Sequence, residues 1–173
     1  MIIKSYAKIN LTLTVNKRLN TGLHNIQSIY CLINLYDKIS IKKIKNTNSD
    51  QISFNGTFSN SINKSNNSIK KVLNILRKNR IIHDYYSIKV NKNIPVFAGF
   101  GGGTSNAATL LKFFMKKKFN KKIFIRIVKE VGSDLNLFFH NQGFQKNLNS
   151  VIKLKKKHNL HFLLVFPKIK SST

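Results

Sequence analysis

The sequence predicts an α+β fold, and three observations support this prediction. Alternation of apolar and polar residues dominates the first 60 residues, whereas the helical spacing of apolar residues appears only after residue 67. Strands followed by a mixture of helices and strands are typical of α+β domains and not of doubly wound sheets. With 173 residues, of which 42% are hydrophobic, the chain is long enough for one domain with a real core, or for one domain and part of another.

The N-terminal half is predicted to consist of strands joined by polar turns. Residues 2 to 16 alternate for most of their length, which is typical of a half-buried strand. Its apolar face is formed by Ile9, Leu11, Leu13 and Val15. A turn at Gly22 leads to a second strand at about residues 26–44, and a third strand follows at 51–58.

The C-terminal half is predicted to mix helices with short strands. A helix over about residues 68–79 carries an apolar stripe and has Asn67 or Ser68 as its N-cap. A second amphipathic helix covers residues 122–131, and Gly132 fits its C-terminal cap. The short strands are expected at residues 86–90, 135–139, 151–154 and 161–166.

The charge balance allows two interpretations. The chain has 31 Lys and Arg residues against 5 Asp and Glu residues, a net charge of +26. Such a charge indicates a polyanionic partner such as nucleic acid, or it reflects a codon bias that also enriches Asn and Ile. Arginine and aromatic residues are not interleaved with the lysines as they are in single-strand binders. We therefore attribute the net charge to codon bias, and we expect neither a nucleic-acid nor a membrane partner.

The acidic residues, the histidines and the single cysteine exclude several classes of protein. The acids are Asp37, Asp50, Asp84, Glu130 and Asp134. They provide neither a carboxylate-rich metal site nor a glycosidase pair, and no Cys/His cluster has zinc spacing, so we expect no metal held by the protein alone. The lone Cys31 forms no internal disulfide. We find neither a secretory signal nor an apolar run long enough to span a membrane, and we expect a cytoplasmic protein.

Four of the eight glycines lie between residues 99 and 103, directly before a predicted helix. Glycines allow successive backbone N–H groups to point into one concavity, and a helix N-terminus adds positive potential there. Thr104 and Ser105 add hydroxyl groups that can hold phosphate oxygens or the water shell of Mg²⁺. A tight turn would need only one glycine. The cluster therefore favours an anion-binding loop, although it matches neither the Walker A motif nor the dinucleotide fingerprint.

Three further residues are candidates for chemistry, and each also has an ordinary explanation. Lys8 follows Ala7 on the first strand, but a lone lysine among many is usually exposed. Asp134 begins an apolar stretch, where it would need a cation or hydrogen bonds, or it simply caps a turn. His24 lies near Gly22 and could be an ordinary loop residue.

Four segments together resemble the GHMP kinase superfamily over nearly the whole chain. They are AKINLTLTV, TGLHNIQS, PVFAGFGGGTSNAATLL and VGSDLNLFF, in that order. The resemblance implies an N-terminal ATP-binding domain over residues 1–160, of the fold shared with domain 2 of ribosomal protein S5. It further implies that residues 161–173 begin a truncated C-terminal domain.

The resemblance also implies roles for individual residues. Asp134 is expected to be the catalytic base and Lys8 its partner, with Asn10 and His24 contacting the substrate. The residues expected to bind ATP are Pro95, Val96, Phe97, Ala98, Gly99, Phe100, Gly101, Gly102, Gly103, Thr104, Ser105 and, near the adenine, Asn67.

The activity implied by the resemblance is a phosphoryl transfer from ATP, with Mg²⁺, to a small alcohol. The motifs are most similar to those of enzymes that phosphorylate the 2-hydroxyl of 4-diphosphocytidyl-2-C-methyl-D-erythritol in the non-mevalonate pathway to isoprenoid precursors. Two alternatives stay open: a non-catalytic RNA-binding module of the same fold, and a GHMP kinase that acts on another small alcohol.

Overall fold

The fold is built around one long central strand. A computed structural model describes residues 1–18, 22, 24–115, 120–156 and 158–166. The strands are β1 (Ile2–Asn10), β2 (Thr14–Arg18), β3 (His24–Ile44), β4 (Gln51–Asn55), β5 (Tyr85–Asn91), β6 (Gln142–Asn147) and β7 (Ser150–Lys153). The helices are α1 (Ser68–Lys78), α2 (Gly102–Met115) and α3 (Lys121–Val131), followed by a 3-10 helix at Ser133–Phe139.

The strand β3 organises the sheet because its 21 residues can pair with several neighbours along its length. It pairs antiparallel with β1, β2, β5 and β6. At one edge β4 lies parallel to β5, and at the other β7 lies antiparallel to β6. The sheet with its helices confirms the predicted α+β class.

The core lies between the sheet and the helices. Ile39 of β3 and Ile88 of β5 are fully buried and belong to one cluster with the apolar stripe of α1. That stripe, predicted from helical spacing, consists of Ile69, Val72, Leu73 and Leu76. The predicted cap is also confirmed, because the Asn67 side chain accepts a hydrogen bond from the backbone N–H of Lys70 at 3.0 Å. Among the described residues, we find no helix with the length and hydrophobicity needed to cross a bilayer.

The predicted first strand is wrong in its length and in its burial. The chain leaves the strand after Asn10 and begins β2 at Thr14, so residues 2–16 form two strands. Leu11, Leu13 and Val15 are 41–59% exposed. Alternation identifies the residues that share a face of a strand, but it does not show whether another layer covers that face.

Two other predicted strands are wrong. The apolar run at 135–139 forms the 3-10 helix, which buries Leu135, Leu137 and Phe138. A short apolar run fits either a strand or a buried helical turn, and periodicity does not distinguish them. Residues 161–166 form no strand, and Leu163 is 90% exposed, because this segment pairs with no described strand.

The strand β6 was not predicted, and the strand predicted at 51–58 ends early. The Gln, Asn and Gly content of Gln142–Asn147 gives little strand signal, yet β6 pairs on both sides, with β3 and β7. The third strand ends at Asn55 because Gly56 follows with a φ of 92°. The helix Lys121–Val131, its cap at Gly132 and the strands β5 and β7 lie within a few residues of their predicted positions.

Candidate functional site

A cleft of about 400 Å³ lies at the N-termini of α1 and α2. Every residue of the predicted loop from 95 to 104 lines it, as does Asn67. Two helix N-termini that open into one cleft give it positive potential and free backbone N–H groups, both of which favour an anion. A larger cavity of about 580 Å³ lies between β3 and residues 158–164, and no residue of the glycine loop lines it.

The glycine at 101 is required by the close approach of the loop to two other elements. A Cβ atom at Gly101 would lie 2.7 Å from Cζ of Phe138 and 3.5 Å from Cε of Lys8. The residue also has a φ of 67°, which L side chains rarely adopt. The loop is therefore pressed against both the 3-10 helix and the first strand, and this contact brings the cleft next to Lys8.

Lys8 and Asp134 meet beside the glycine loop. Lys8 Nζ lies 3.3 Å from Asp134 Oδ2 and donates a hydrogen bond of 2.5 Å to Asn10 Oδ1. The backbone N–H of Lys8 donates to the carbonyl of Phe100 at 3.0 Å. The lysine side chain is only 8% exposed, whereas that of Asp134 is 42% exposed. The carboxylate is thus accessible to solvent, whereas the lysine side chain is almost fully covered by protein.

The burial of Lys8 corrects the expectation that a lone lysine is exposed. The pairing of β1 with β3 shifts between Tyr6 and Ala7, and this irregularity leaves Ala7 and Lys8 buried in succession. Tyr6, which strict alternation places on the same face as Lys8, is 36% exposed. A buried ammonium needs partners, and Asn10 and Asp134 provide them.

Asn10 holds Lys8 within a short chain of hydrogen bonds. The Asn10 amide donates to Ser28 Oγ at 2.6 Å, and Ser28 in turn donates to the carbonyl of Thr12 at 2.6 Å. Both polar groups of the Asn10 side chain are therefore engaged within the protein. Its observed contact is with the lysine, and Ser28, which sequence reasoning missed, fixes its orientation.

Ser105 does not face the cleft, contrary to the expectation that its hydroxyl holds phosphate. Its Oγ donates to the carbonyl of Tyr6 at 2.6 Å and shares a hydrogen bond with Ser5 Oγ at 2.8 Å. Ser105 follows the first turn of α2 on the side that packs against β1. Its hydroxyl therefore holds the helix against the strand, and of the two hydroxyl residues expected to bind phosphate only Thr104 lines the cleft.

Two other predicted residues have distinct positions. The Asn67 side chain, besides capping α1, donates to the carbonyls of Asn63 and Lys64, so its polar atoms are already in use at the cleft wall. His24 is exposed at the start of β3, opposite Arg18. It precedes Tyr30, the partner of Asn10, by six residues, which is about 20 Å along a strand. His24 is therefore separated from the Lys8–Asp134 pair.

A buried ion pair beneath the loop was also missed. Lys92 contacts the carboxylate of Asp37, which accepts further hydrogen bonds from the backbone N–H groups of Asn93 and Ile94 at 2.8 and 2.9 Å. Lys92 and Asp37 are 2% and 0% exposed. The pair anchors the segment that enters the glycine loop. The sequence contained a signal for it, because Asp37 alternates with the inward-facing Ile39 and Ile41.

The chemistry of this arrangement follows from its charges. An accessible carboxylate beside an ammonium can accept a proton from an alcohol, and the adjacent cleft can hold an anion. Among the described residues, no three His, Cys, Asp or Glu side chains converge as a metal site would require. The site is thus suited to a reaction between a bound anion and a hydroxyl group.

Comparison with known proteins shows which proteins this chain is similar to. Residues 67–140 match the family model of the GHMP kinases N terminal domain. A 4-diphosphocytidyl-2-C-methyl-D-erythritol kinase of Pelagibacter ubique is 40% identical over 99% of this chain and 62% of that protein. The kinase of the same name from Thermosipho melanesiensis is 37% identical over 79% of this chain and 48% of that protein. The chain thus spans about half to three fifths of the length of these relatives.

Solved structures show the same fold. A crystal structure of 4-(cytidine 5'-diphospho)-2C-methyl-D-erythritol kinase has a TM-score of 0.67 at 22% identity, over 89% of this chain and 55% of that one. A homoserine kinase from Cytophaga hutchinsonii has a TM-score of 0.62 at 13% identity, over 88% of this chain and 51% of that one. The family model, the sequence relatives and the fold agree: residues 67–140 match the N-terminal domain of the GHMP kinases, and the whole chain is similar to kinases with that domain.

Proposed function

We propose that this chain binds ATP and transfers its terminal phosphoryl group to the 2-hydroxyl of 4-diphosphocytidyl-2-C-methyl-D-erythritol. The observation that carries the proposal is the 3.3 Å contact between Lys8 and Asp134 beside the glycine loop. The substrate is the one named for relatives that match 99% of the chain. His24 is proposed to contact the cytosine end of this long substrate, since it lies well away from the reacting residues.

The proposed reaction uses the chain's own groups as positioning and charge-stabilising elements. Asp134 accepts the proton of the substrate hydroxyl as its oxygen attacks the terminal phosphorus; a new P–O bond forms and the P–O bond to the departing ADP breaks. Lys8, whose Nζ lies 3.3 Å from the Asp134 carboxylate, stabilises negative charge on the attacking oxygen. The backbone N–H groups of the loop and of the α2 N-terminus hold the phosphates. Such positioning is the main requirement of phosphoryl transfer.

The site fits Mg²⁺ as the partner of a bound nucleotide. Mg²⁺ prefers oxygen ligands and is commonly held by substrate phosphates with one or two protein groups. The Thr104 hydroxyl lines the cleft and offers such a ligand. When bound with ATP, the ion would neutralise phosphate charge.

The test measures ADP release by the purified chain with ATP, Mg²⁺ and the methylerythritol substrate. We expect release only when the substrate is present. We expect Asp134→Asn to lower kcat by at least about 100-fold, because removal of a general base has effects of that size. Lys8→Met should show a comparable loss.

The chain offers matched controls for both variants. Asp84 is 43% exposed and pairs with Lys43 at 2.8 Å, so it resembles Asp134 in exposure and pairing but lies outside the cleft. Asp84→Asn and Lys43→Met should retain wild-type turnover. ADP release that ignores the substrate, or that survives in Asp134→Asn, would contradict the proposal.

A further inference from the structure

The face of the sheet that points away from the helices is open to solvent. Core residues of the central strands, such as Ile39 of β3 and Ile88 of β5, belong to one cluster with residues of α1 and α2. Because successive side chains of a strand point to opposite faces, the residues that alternate with the core form a second face, and none of them is buried. We call this second face the open face. It consists of every second residue, counted from the first, in 2–6 of β1, 36–42 of β3, 51–55 of β4 and 87–91 of β5.

The pairing of the strands gathers lysines that are far apart in the chain. Lys4 lies opposite Lys38, and Lys89 lies opposite the residue two positions further along β3. Lys42 is the next residue of β3 on the open face, and all four lysines are exposed. Like charges on facing strands repel each other. The only acid in these four strands is Asp37, which is fully buried, so the open face has no carboxylate of its own to balance the lysines.

Two tyrosines lie on the open face beside these lysines. Tyr6 and Tyr36 are opposite each other, and their rings meet edge to face with centroids 5.6 Å apart. The Lys4 ammonium lies 4.4 Å from the centroid of the Tyr36 ring, so the three side chains share one surface. Tyr6 is 36% exposed. Aromatic rings beside ammonium groups offer both stacking and positive charge, which proteins combine to bind single-stranded nucleic acids.

The other residues of the open face favour RNA over a membrane surface. Gln51, Ser53 and Asn55 of β4 are exposed, and their amide and hydroxyl groups can donate to and accept from base edges and 2′-hydroxyl groups. Binding in a membrane interface needs a broad apolar surface, whereas Ile2 is the only exposed aliphatic residue of the open face. The chemistry of this face therefore fits a polyanion that carries flat bases and hydroxyl groups.

We propose that the open face binds single-stranded RNA, with the lysines contacting phosphates and Tyr6 stacking on a base. Lysines and aromatic residues are not interleaved along the chain, but the pairing of β1 with β3 places them side by side. The glycine-loop cleft lies at the N-termini of α1 and α2, on the helical side of the sheet. RNA binding and the proposed phosphoryl transfer thus use different surfaces, and neither inference depends on the other.

The test measures binding of the 173-residue chain to a fluorescein-labelled, unstructured RNA of about 12 nucleotides by fluorescence anisotropy. We expect the triple variant Lys4→Gln/Lys38→Gln/Lys89→Gln to lose at least about tenfold in affinity at about 0.15 M KCl. The slope of log Kd against log [KCl] should fall by about two, because each phosphate contact on a single strand contributes about 0.7. Since Lys4 and Lys38 repel each other, the variant should unfold at the wild-type temperature or above it.

A matched control removes the same charge from the helical side of the sheet. Lys78 on α1 and Lys122 and Lys129 on α3 are exposed. Lys78→Gln/Lys122→Gln/Lys129→Gln should keep the wild-type affinity within about twofold, because charges more than a Debye length from the RNA are largely screened. An equal loss of affinity in the two triple variants would show that RNA is attracted by the charge of the whole chain, and it would overturn the inference.

A second comparison separates base stacking from the attraction of charge alone. Inorganic polyphosphate has charge but no bases, so it should compete for the wild type less well than unlabelled RNA at equal phosphate concentration. Tyr6→Thr, which keeps the net charge and suits a strand, should bind RNA at least about fivefold more weakly and polyphosphate equally well. Equal competition by polyphosphate and RNA would contradict the proposal even if this variant fails to fold. Equally tight binding of DNA of the same sequence would contradict the choice of RNA.

Discussion

At the scale of single residues, partners decide whether a polar group can be buried. Lys8 is buried because Asn10 and Asp134 contact its ammonium. Lys92 is buried because it contacts Asp37. Tyr30 is the opposite case: its ring fills the core at 0% exposure, while its hydroxyl has no partner among the described residues. The buried polar groups of Lys8 and Lys92 therefore have partners, whereas the buried hydroxyl of Tyr30 has none among the described residues.

This difference predicts that Tyr30→Phe does not destabilise the protein. The substitution removes an unpaired buried hydroxyl, whose desolvation opposes folding by about 1–3 kcal/mol, and keeps the ring. We expect the free energy of unfolding, measured by urea denaturation, to stay the same or to rise. A loss of more than about 1 kcal/mol would show that the hydroxyl is satisfied in solution, for example by a buried water.

At the scale of elements, the glycine loop is confined by the 3-10 helix that follows α3. Lys112 on α2 contacts the carbonyl of Phe138 and so holds that helix against α2. The Phe138 ring reaches Gly101 in the loop, and Asp134 begins the same helix. The element that supplies the proposed base therefore also limits the space available to the phosphate loop.

This packing predicts different effects for two glycine substitutions. Gly101 and Gly99 have similar φ values, 67° and 75°, but a Cβ atom at Gly99 would meet nothing within 4 Å. Gly99→Ala should therefore incur only backbone strain of about 1–2 kcal/mol. Gly101→Ala adds a clash with Phe138 and should lose a further 1–3 kcal/mol or so, the usual effect of overpacking.

Thermal unfolding measures the stability of both variants, and calorimetry measures their ATP affinity. We expect Gly101→Ala to weaken ATP binding more than Gly99→Ala, since only the former displaces the wall of the cleft. Equal stability and equal affinity in the two variants would contradict the close contact between loop and 3-10 helix.

At the scale of the whole molecule, the buried Cys31 and Tyr30 and the half-buried His140 contribute to the pH dependence of stability. Burial raises the pKa of the Cys31 thiol above its ordinary value of 9.0 and that of the Tyr30 hydroxyl above 10.0. Burial, with Lys153 and Lys112 nearby, lowers the pKa of His140 below its ordinary 6.5. Each folded-state group thus stays neutral over a range in which the unfolded chain ionises.

The sign of each effect predicts a stability maximum between about pH 6.5 and 9. Below this range the unfolded chain binds a proton at His140 that the folded protein resists, so the free energy of unfolding falls as the pH falls. Above it the unfolded chain loses protons from Cys31 and Tyr30 before the folded protein does, so these two groups lower the free energy of unfolding as the pH rises, whereas Lys112, whose pKa is lowered by burial, acts in the opposite direction. Urea denaturation from pH 5 to 10.5 measures the free energy of unfolding on both sides of this maximum, with 0.5 M KCl present to screen other charges.

Two variants serve as controls for this profile. His140→Gln should reduce the loss of stability at acidic pH, and Tyr30→Phe should reduce part of the loss of stability at alkaline pH. A stability that keeps rising above pH 9 in the wild type would contradict the predicted direction.

The net charge of +26 gives a second prediction at this scale. A large charge of one sign repels itself in the compact state, and salt screens that repulsion. We expect the midpoint of thermal unfolding to rise between about 0.05 and 0.5 M KCl, and to rise equally with choline chloride, because the effect is not specific to the cation. A midpoint that falls with both salts would show that attractive ion pairs dominate.

Local spacing and local backbone chemistry were enough to predict the fold class, the apolar stripe of α1 with its cap at Asn67, and the glycine loop before a buried helix. They did not determine which neighbours cover a residue. Four features depend on contacts between segments far apart in the chain. They are the burial of Lys8, the hydrogen bond from the Ser105 hydroxyl to Tyr6, the Lys92–Asp37 pair and the helical form of residues 135–139. Such contacts are set by the three-dimensional packing of the chain, because a side chain has the same identity in the sequence whether or not a distant partner reaches it.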